Sequence, residues 1–274
     1  MEYKRLKGLK MEDYQYPGEK KALEALRKLQ GIDKITAQFI KLLVQTTSLP
    51  EIQGNSFRIS LKSCPEIYKL YLTALERLDM PEEYPLYSIS SYDYNAFAFG
   101  GGSPFVCIHS SMLSDLEPEE IIAVLGHELG HIKGEHSIYD QMARMIKVVL
   151  SQIEIPGGGA ARVAFQVYLM EWYRAHEYSA DRAGMIACGR AAPEISLMSK
   201  LMGTGEKLPF VKMTPEDIMA QEIYFEQSNN DLATKLMCVV SQAGMSHPFT
   251  ALRIKALDEW EKSGEFEKLV LKYV

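Results

Sequence analysis

The residues with the clearest capacity for chemistry are His127-Glu128-Leu129-Gly130-His131. Two histidines four apart on a helix point the same way, so both imidazoles can bind one tetrahedral zinc. Glu128 is one step from His127 and three from His131. It therefore flanks the same spot without being needed as a ligand, which is where a general base acting on a zinc-activated water must sit. The segment around it reads as a helix over Pro118–Ile132. A proline suits the first turn, Glu119 and Glu120 favour the positive helix end, and Ile122, Leu125, Leu129 and Ile132 form one apolar stripe. Gly126 and Gly130 weaken such a helix, and make sense if another element must approach closely. Glu128 and His131 also have the Glu-x-x-His spacing of di-iron carboxylate bundles, but those sites need the pair twice, and of the six histidines only His131 has a glutamate three residues before it.

A catalytic zinc usually takes three protein ligands and leaves one position open. A third histidine six residues after His131 would fall at 137, which is Ser137. His136 is read as a solvated surface residue. The best candidate lies in the helical stretch Ala160–Gly189, where Val163, Val167 and Met170 form an expected inward stripe that continues as Arg174, Glu177 and Asp181. Charged groups on a core-facing stripe need partners. Zinc would supply one for Glu177, and Asp181 can accept the remaining N–H of a liganding histidine. The plainer alternative is an internal salt bridge of Arg174 with Glu177 or Asp181. His176 points about 100° from Glu177 and is not assigned to the site.

These helices need a scaffold. Residues 19–46 have helical spacing, Phe57 to Leu61 alternates like a short strand, and 66–79 is helical again. Residues 86–110 read as a small antiparallel sheet, with Asn95–Phe99 and Phe105–His109 joined by a glycine turn at Gly100–Gly102. Nearly everything after Pro118 is helix. The expected fold is thus α+β and mainly helical, with a small antiparallel sheet beside the His-Glu helix. Residues 1–55 form an N-terminal helical segment and 56–274 the catalytic domain.

Composition excludes several classes. With 274 residues, 47% hydrophobic and 24% charged, the chain is an ordinary globular one rather than a disordered one. A net charge of −6 gives no basic surface for nucleic acid. No run reaches 18 apolar residues, and the start lacks the apolar core of an export signal. The four cysteines, Cys64, Cys107, Cys188 and Cys238, lie far apart and are read as free thiols in a reducing, cytoplasmic setting.

The joint pattern of His127–His131, then Glu177-Tyr178-Ser179-Ala180-Asp181, then Ser246-His247-Pro248 with Arg253-Ile254 resembles one family. It is similar to the zinc metallopeptidases related to the heat-shock protease HtpX and the CAAX prenyl endopeptidases, gluzincins with HExxH followed by ExxxD. The likeness runs from about Ser88 to Leu257. It implies one zinc per chain held by His127, His131 and Glu177, Glu128 as general base, and Asp181 as support behind a ligand. It implies that Asn95, Ala96, Phe97 and Ala98 form an edge strand to which an extended peptide adds as a further strand. His247 and Arg253 match the family's C-terminal motif, and either could stabilise the oxyanion. His247 could instead cover the open zinc position or precede a helix, and Arg253 could pair with Asp181. Many relatives carry transmembrane helices and this chain shows none, which favours a soluble domain acting on peptides or unfolded proteins. The expected activity is that of a zinc endopeptidase. The alternative is a latent or chaperone-like binding module with the same zinc site.

Overall fold

The structure is a computed structural model. It describes residues 5–46, 49–99, 103–134, 137–204 and 248–273, together with residues 217, 220, 223 and 224. His247, the Gly100–Gly102 turn, His136 and Cys238 lie outside the described residues.

Mainly helical α+β architecture is what the chain adopts. The expected helix over 19–46 is two, α1 (Pro17–Arg27) and α2 (Ile32–Thr46). Gly31 parts them at φ +81°, a left-handed conformation that glycine adopts without strain. Helix α3 (Leu49–Asn55) leads into strand β1 (Phe57–Ile59), and α4 (Pro65–Arg77) into β2 (Leu86–Ile89). Strands β3 (Ala96–Phe99) and β4 (Phe105–His109) pair antiparallel, as expected of a hairpin. The sheet is nevertheless mixed rather than wholly antiparallel, because β4 inserts beside β2 and runs parallel to it. The order is β1-β2-β4-β3, which leaves β3 at an edge.

Three further helices follow the sheet: α5 (Ser110–Asp115), α6 (Pro118–Lys133) and α7 (Ser137–Arg144). After α8 (Ile146–Gln152) comes the long α9 (Gly158–Cys188), then α10 (Ala191–Ser199), α11 (Thr250–Lys262) and α12 (Glu265–Tyr273). Helix α6 starts with a capping box, in which the Glu120 carboxylate accepts from the Glu117 N–H at 2.7 Å and Glu117 returns the bond. Ser196 and Lys200 hold the same carboxylate from outside, tying α6 to α10 and the turn after it.

Helices α6 and α9 form the central packing pair. Their contact requires Gly126 and Gly130, as the sequence suggested. A Cβ on Gly126 would overlap the Ala187 methyl, and one on Gly130 would lie 2.7 Å from the Ala183 methyl. Helix α9 spans two cores. Its C-terminal half packs with α4, α6, α10, α11 and the sheet. Its N-terminal half packs with α1, α2, α7 and α8. Leu6, Leu9, Met11 and Tyr14 from the N-terminal segment lie in the first of these cores.

The inward stripe expected over Val163, Val167 and Met170 is correct only at Met170, which is 3% exposed. Val163 is 62% exposed and Val167 48%. In that half of α9 the buried face is Phe165, Leu169, Trp172 and Tyr173, because the second core approaches from a different side than the first.

Candidate metal centre

Helix α6 supplies His127, Glu128 and His131, and α9 supplies Glu177 and Asp181 one turn apart. All five are buried. The close α6–α9 crossing brings three donor atoms together. His127 Nε2 lies 3.1 Å from His131 Nε2, His127 Nε2 lies 3.6 Å from Glu177 Oε2, and His131 Nε2 lies 3.6 Å from Glu177 Oε1. Nitrogen and oxygen ligands at about 2.0–2.1 Å around a tetrahedral ion stand roughly 3.3 Å apart, so these residues fit a metal as they are placed. Two imidazole nitrogens and a carboxylate facing one another in a dry site are costly without a cation to share.

Behind His127, Nδ1 meets Asp181 Oδ1 at 3.1 Å, with Glu194 Oε1 of α10 at 4.0 Å. Asp181 is in turn clamped by Arg253 of α11, through Nε to Oδ2 at 2.9 Å and Nη2 to Oδ1 at 2.5 Å. The same guanidinium lies 3.7 Å from Glu177 Oε2. The salt bridge to Asp181 is therefore made by Arg253. Burial alone would raise Asp181, but Arg253 and His127 outweigh it and hold the carboxyl below its usual value. Burial likewise opposes a proton on His127, yet Asp181 and Glu177 lift that imidazole to about 9. Burial drives His131 well below the ordinary histidine value. Glu128 is raised, first by burial and further by Glu177, with His127 and Arg144 opposing. A carboxylate shifted towards neutrality is suited to taking and returning a proton at working pH.

Strand β3 meets this centre directly. The Asn95 carbonyl accepts from the His109 N–H, so odd positions of the strand face β4 and the backbone groups of Ala96 and Ala98 face outward. The Ala98 N–H donates to Glu128 Oε2 at 2.6 Å. A cleft of about 220 Å³ opens between Asn95 and Ala96 of the strand, His127, Glu128 and Glu177, with an apolar wall that includes Met112, Val124 and Leu197. The larger groove, about 970 Å³, lies between the N-terminal segment and the loop before β2 and contains none of these groups.

Three groups beside the centre escaped the sequence reading. Glu194 is 1% exposed and raised to about 8, first by burial and then by Asp181. A Cβ on Gly184 would collide with its carboxylate, so that glycine makes room for it. A lone acid in the apolar stretch Ala191–Met198 was the available signal. His176 is fully buried. Its ring lies 4.8 Å from that of His131 and stacks on Trp172 at 5.0 Å, while Nδ1 is 3.0 Å from Glu19 Oε1 of α1. Glu19 also accepts from the Ser179 hydroxyl at 2.5 Å. Asp140 of α7 is the third, with Oδ1 at 4.0 Å from His131 Nδ1.

This arrangement has counterparts among known proteins. The profile of peptidase family M48 matches residues 64–261. The chain belongs to peptidase family M48. It is 26% identical over 266 residues to the plastoglobule-localized metallopeptidase 48 of Arabidopsis thaliana, covering 96% of this chain and 76% of that one. It is 24% identical over 223 residues to a protease HtpX homolog of Gemmatimonas aurantiaca, covering 73% of this chain and 77% of the relative. A crystal structure of S. mikatae Ste24p aligns with a TM-score of 0.49 and 16% identity, over 87% of this chain and 61% of that one, so the chain spans about three-fifths of that protein. As an M48 member the chain is a metallopeptidase, and among the described residues two donor groups are compatible with a metal: His127, His131 and Glu177, and His127, Asp181 and Glu194. Among the described residues no helix is long and apolar enough to cross a membrane.

Proposed function

We propose that the chain is a zinc endopeptidase that hydrolyses extended peptides or unfolded proteins laid against β3. The observation that carries this reading is the convergence of His127, His131 and Glu177 beside a Glu128 whose carboxylate is aimed by the Ala98 N–H. Three nitrogen and oxygen donors of this kind suit zinc. When bound there, zinc supplies Lewis acidity towards the scissile carbonyl and acidifies the attacking water.

The chain's own residues do the rest. Glu128 lines the cleft and its Oε2 is held by Ala98, so in our reading Glu128 takes the proton of the attacking water and passes it to the leaving amine. The outward backbone groups of Ala96, with the Ala98 carbonyl, offer main-chain pairing to a substrate strand whatever its side chains; Asn95 and Phe97 complete the strand that carries them. Asp181 fixes the His127 tautomer, and Arg253 holds Asp181 in place. Arg253, 3.7 Å from Glu177, also places positive charge beside the reacting centre, where an oxyanion develops. His247 shares that proposed part as a neighbour of Arg253 in the motif. The described free cysteines, Cys64, Cys107 and Cys188, support a reducing, cytoplasmic setting, although the Arabidopsis relative is named for a chloroplast location.

The test is cleavage of an unfolded protein followed by mass spectrometry. Fragments should form, vanish with a strong chelator and return with zinc. Binding of the unfolded protein without fragments under any metal would instead support the chaperone-like alternative. The edge strand has its own test. Ala98→Pro removes the N–H that aims Glu128 and leaves the β4 ladder intact, as proline on an edge strand can. A hydrogen bond to a charged group is worth about 1.5–3 kcal/mol, so kcat/KM should fall by about 10–100-fold. Unchanged kcat/KM would remove Ala98 from the mechanism.

A further inference from the structure

A histidine that binds a metal through Nε2 carries its proton on Nδ1, and in a buried site that N–H needs an acceptor. His127 Nδ1 faces one at close range, with Asp181 Oδ1 3.1 Å away. His131 is 3% exposed and its Nδ1 has no hydrogen-bond partner. Facing it is Asp140 Oδ1, likewise buried and likewise without a hydrogen-bond partner, 4.0 Å away. The other oxygen of Asp140 is occupied, since Arg144 Nε donates to Oδ2 at 2.9 Å. This repeats the arrangement behind His127, where Arg253 Nε donates to Asp181 Oδ2 at 2.9 Å and Oδ1 meets the imidazole. Each ligand histidine thus has an aspartate at its back, and each aspartate is held by an arginine: Arg144 through the Asp140 oxygen turned away from the ring, Arg253 through both oxygens of Asp181.

We propose that Asp140, clamped by Arg144, is the positioning residue for His131, and that His131 Nδ1–H closes onto Asp140 Oδ1 when Nε2 engages the metal. The proposal rests on the zinc reading above. The separation is about 1 Å beyond a hydrogen bond. Closing it needs a small turn of the imidazole or a small shift of α7, a helix of two turns that starts at Ser137, after α6 ends at Lys133. Two buried polar atoms then satisfy each other instead of both remaining unpaired, and the tautomer that leaves Nε2 free to bind is fixed.

The test compares zinc affinity, by competition with a chromophoric chelator, in wild type, Asp140→Leu and Asp140→Asn. Both variants remove the charge opposite Arg144, but only asparagine keeps an oxygen facing His131. Loss of such an acceptor costs about 10–100-fold in metal affinity, so Asp140→Leu should lose that much and Asp140→Asn clearly less. Equal losses in the two variants would mean that the effect runs through Arg144 or packing, and would overturn the proposal. Wild-type affinity in Asp140→Leu would overturn it too, while leaving the zinc site standing. No zinc bound by wild type would remove the peptidase reading together with this one. Should Asp140→Leu fail to fold, nitrogen-15 spectra of the zinc-loaded histidines decide. The His131 Nδ1 proton should be strongly downfield in wild type and move in Asp140→Asn, while that of His127 stays. A His131 proton indifferent to Asp140→Asn overturns the assignment.

Discussion

Glu128→Gln is expected to bind zinc as wild type does and to cleave peptides about 10²–10⁴-fold more slowly, the range for losing a positioned general base. Glutamine keeps the shape of the side chain and an oxygen for the Ala98 N–H, so the strand contact at 2.6 Å and the ligand triad survive the change. What it loses is the capacity to accept and release a proton. In the wild type the carboxyl is raised, by burial first of all and further by Glu177, which favours its taking a proton. Steady-state kinetics with a quenched peptide, beside a metal assay on the same sample, separates the two effects. Cleavage at wild-type rate by Glu128→Gln would show that another group moves the proton.

The second large effect concerns Glu177→Ala. Wild type should hold about one zinc per chain, as a three-ligand site does, and the variant should hold almost none after dialysis, as measured by elemental mass spectrometry. The loss should exceed the roughly 10–100-fold that follows from removing a residue behind a ligand, because alanine leaves only two histidine donors. Arg253 would still occupy Asp181, so that carboxylate is poorly placed to substitute. Full retention of zinc by the variant would move the third ligand elsewhere.

The metal-binding helix was legible because its information is local. Capping, stripe and both histidines all lie within Glu117–Lys133, and helical periodicity is enough to put His127 and His131 side by side. Glu177 and Asp181 were legible for the same reason, one turn apart on α9. Periodicity failed at Val163 and Val167, since a helix shared by two cores changes its buried face along its length, and the alternating pattern of one core does not extrapolate into the other. Strand order was out of reach as well. Residues 86–109 show three strands, but their local alternation does not say that β4 falls between β2 and β3, since that order is a matter of long-range pairing. The partners that hold the ligands were the least visible. Asp140 and Glu194 come from two further helices, and no spacing in the chain relates them to His127 or His131, whereas Arg253 was legible through the C-terminal motif.

That dispersal has a consequence for the protein during its own synthesis. All three donor residues have been translated once the ribosome passes Glu177, yet Arg253, the cation that clamps Asp181, follows 72 residues after it. A growing chain therefore carries the three donors before it carries Glu194 and Arg253. The clamp on Asp181 thus forms only when α11 docks on α9, which couples the order of the donors to the folding of a helix distant in the chain.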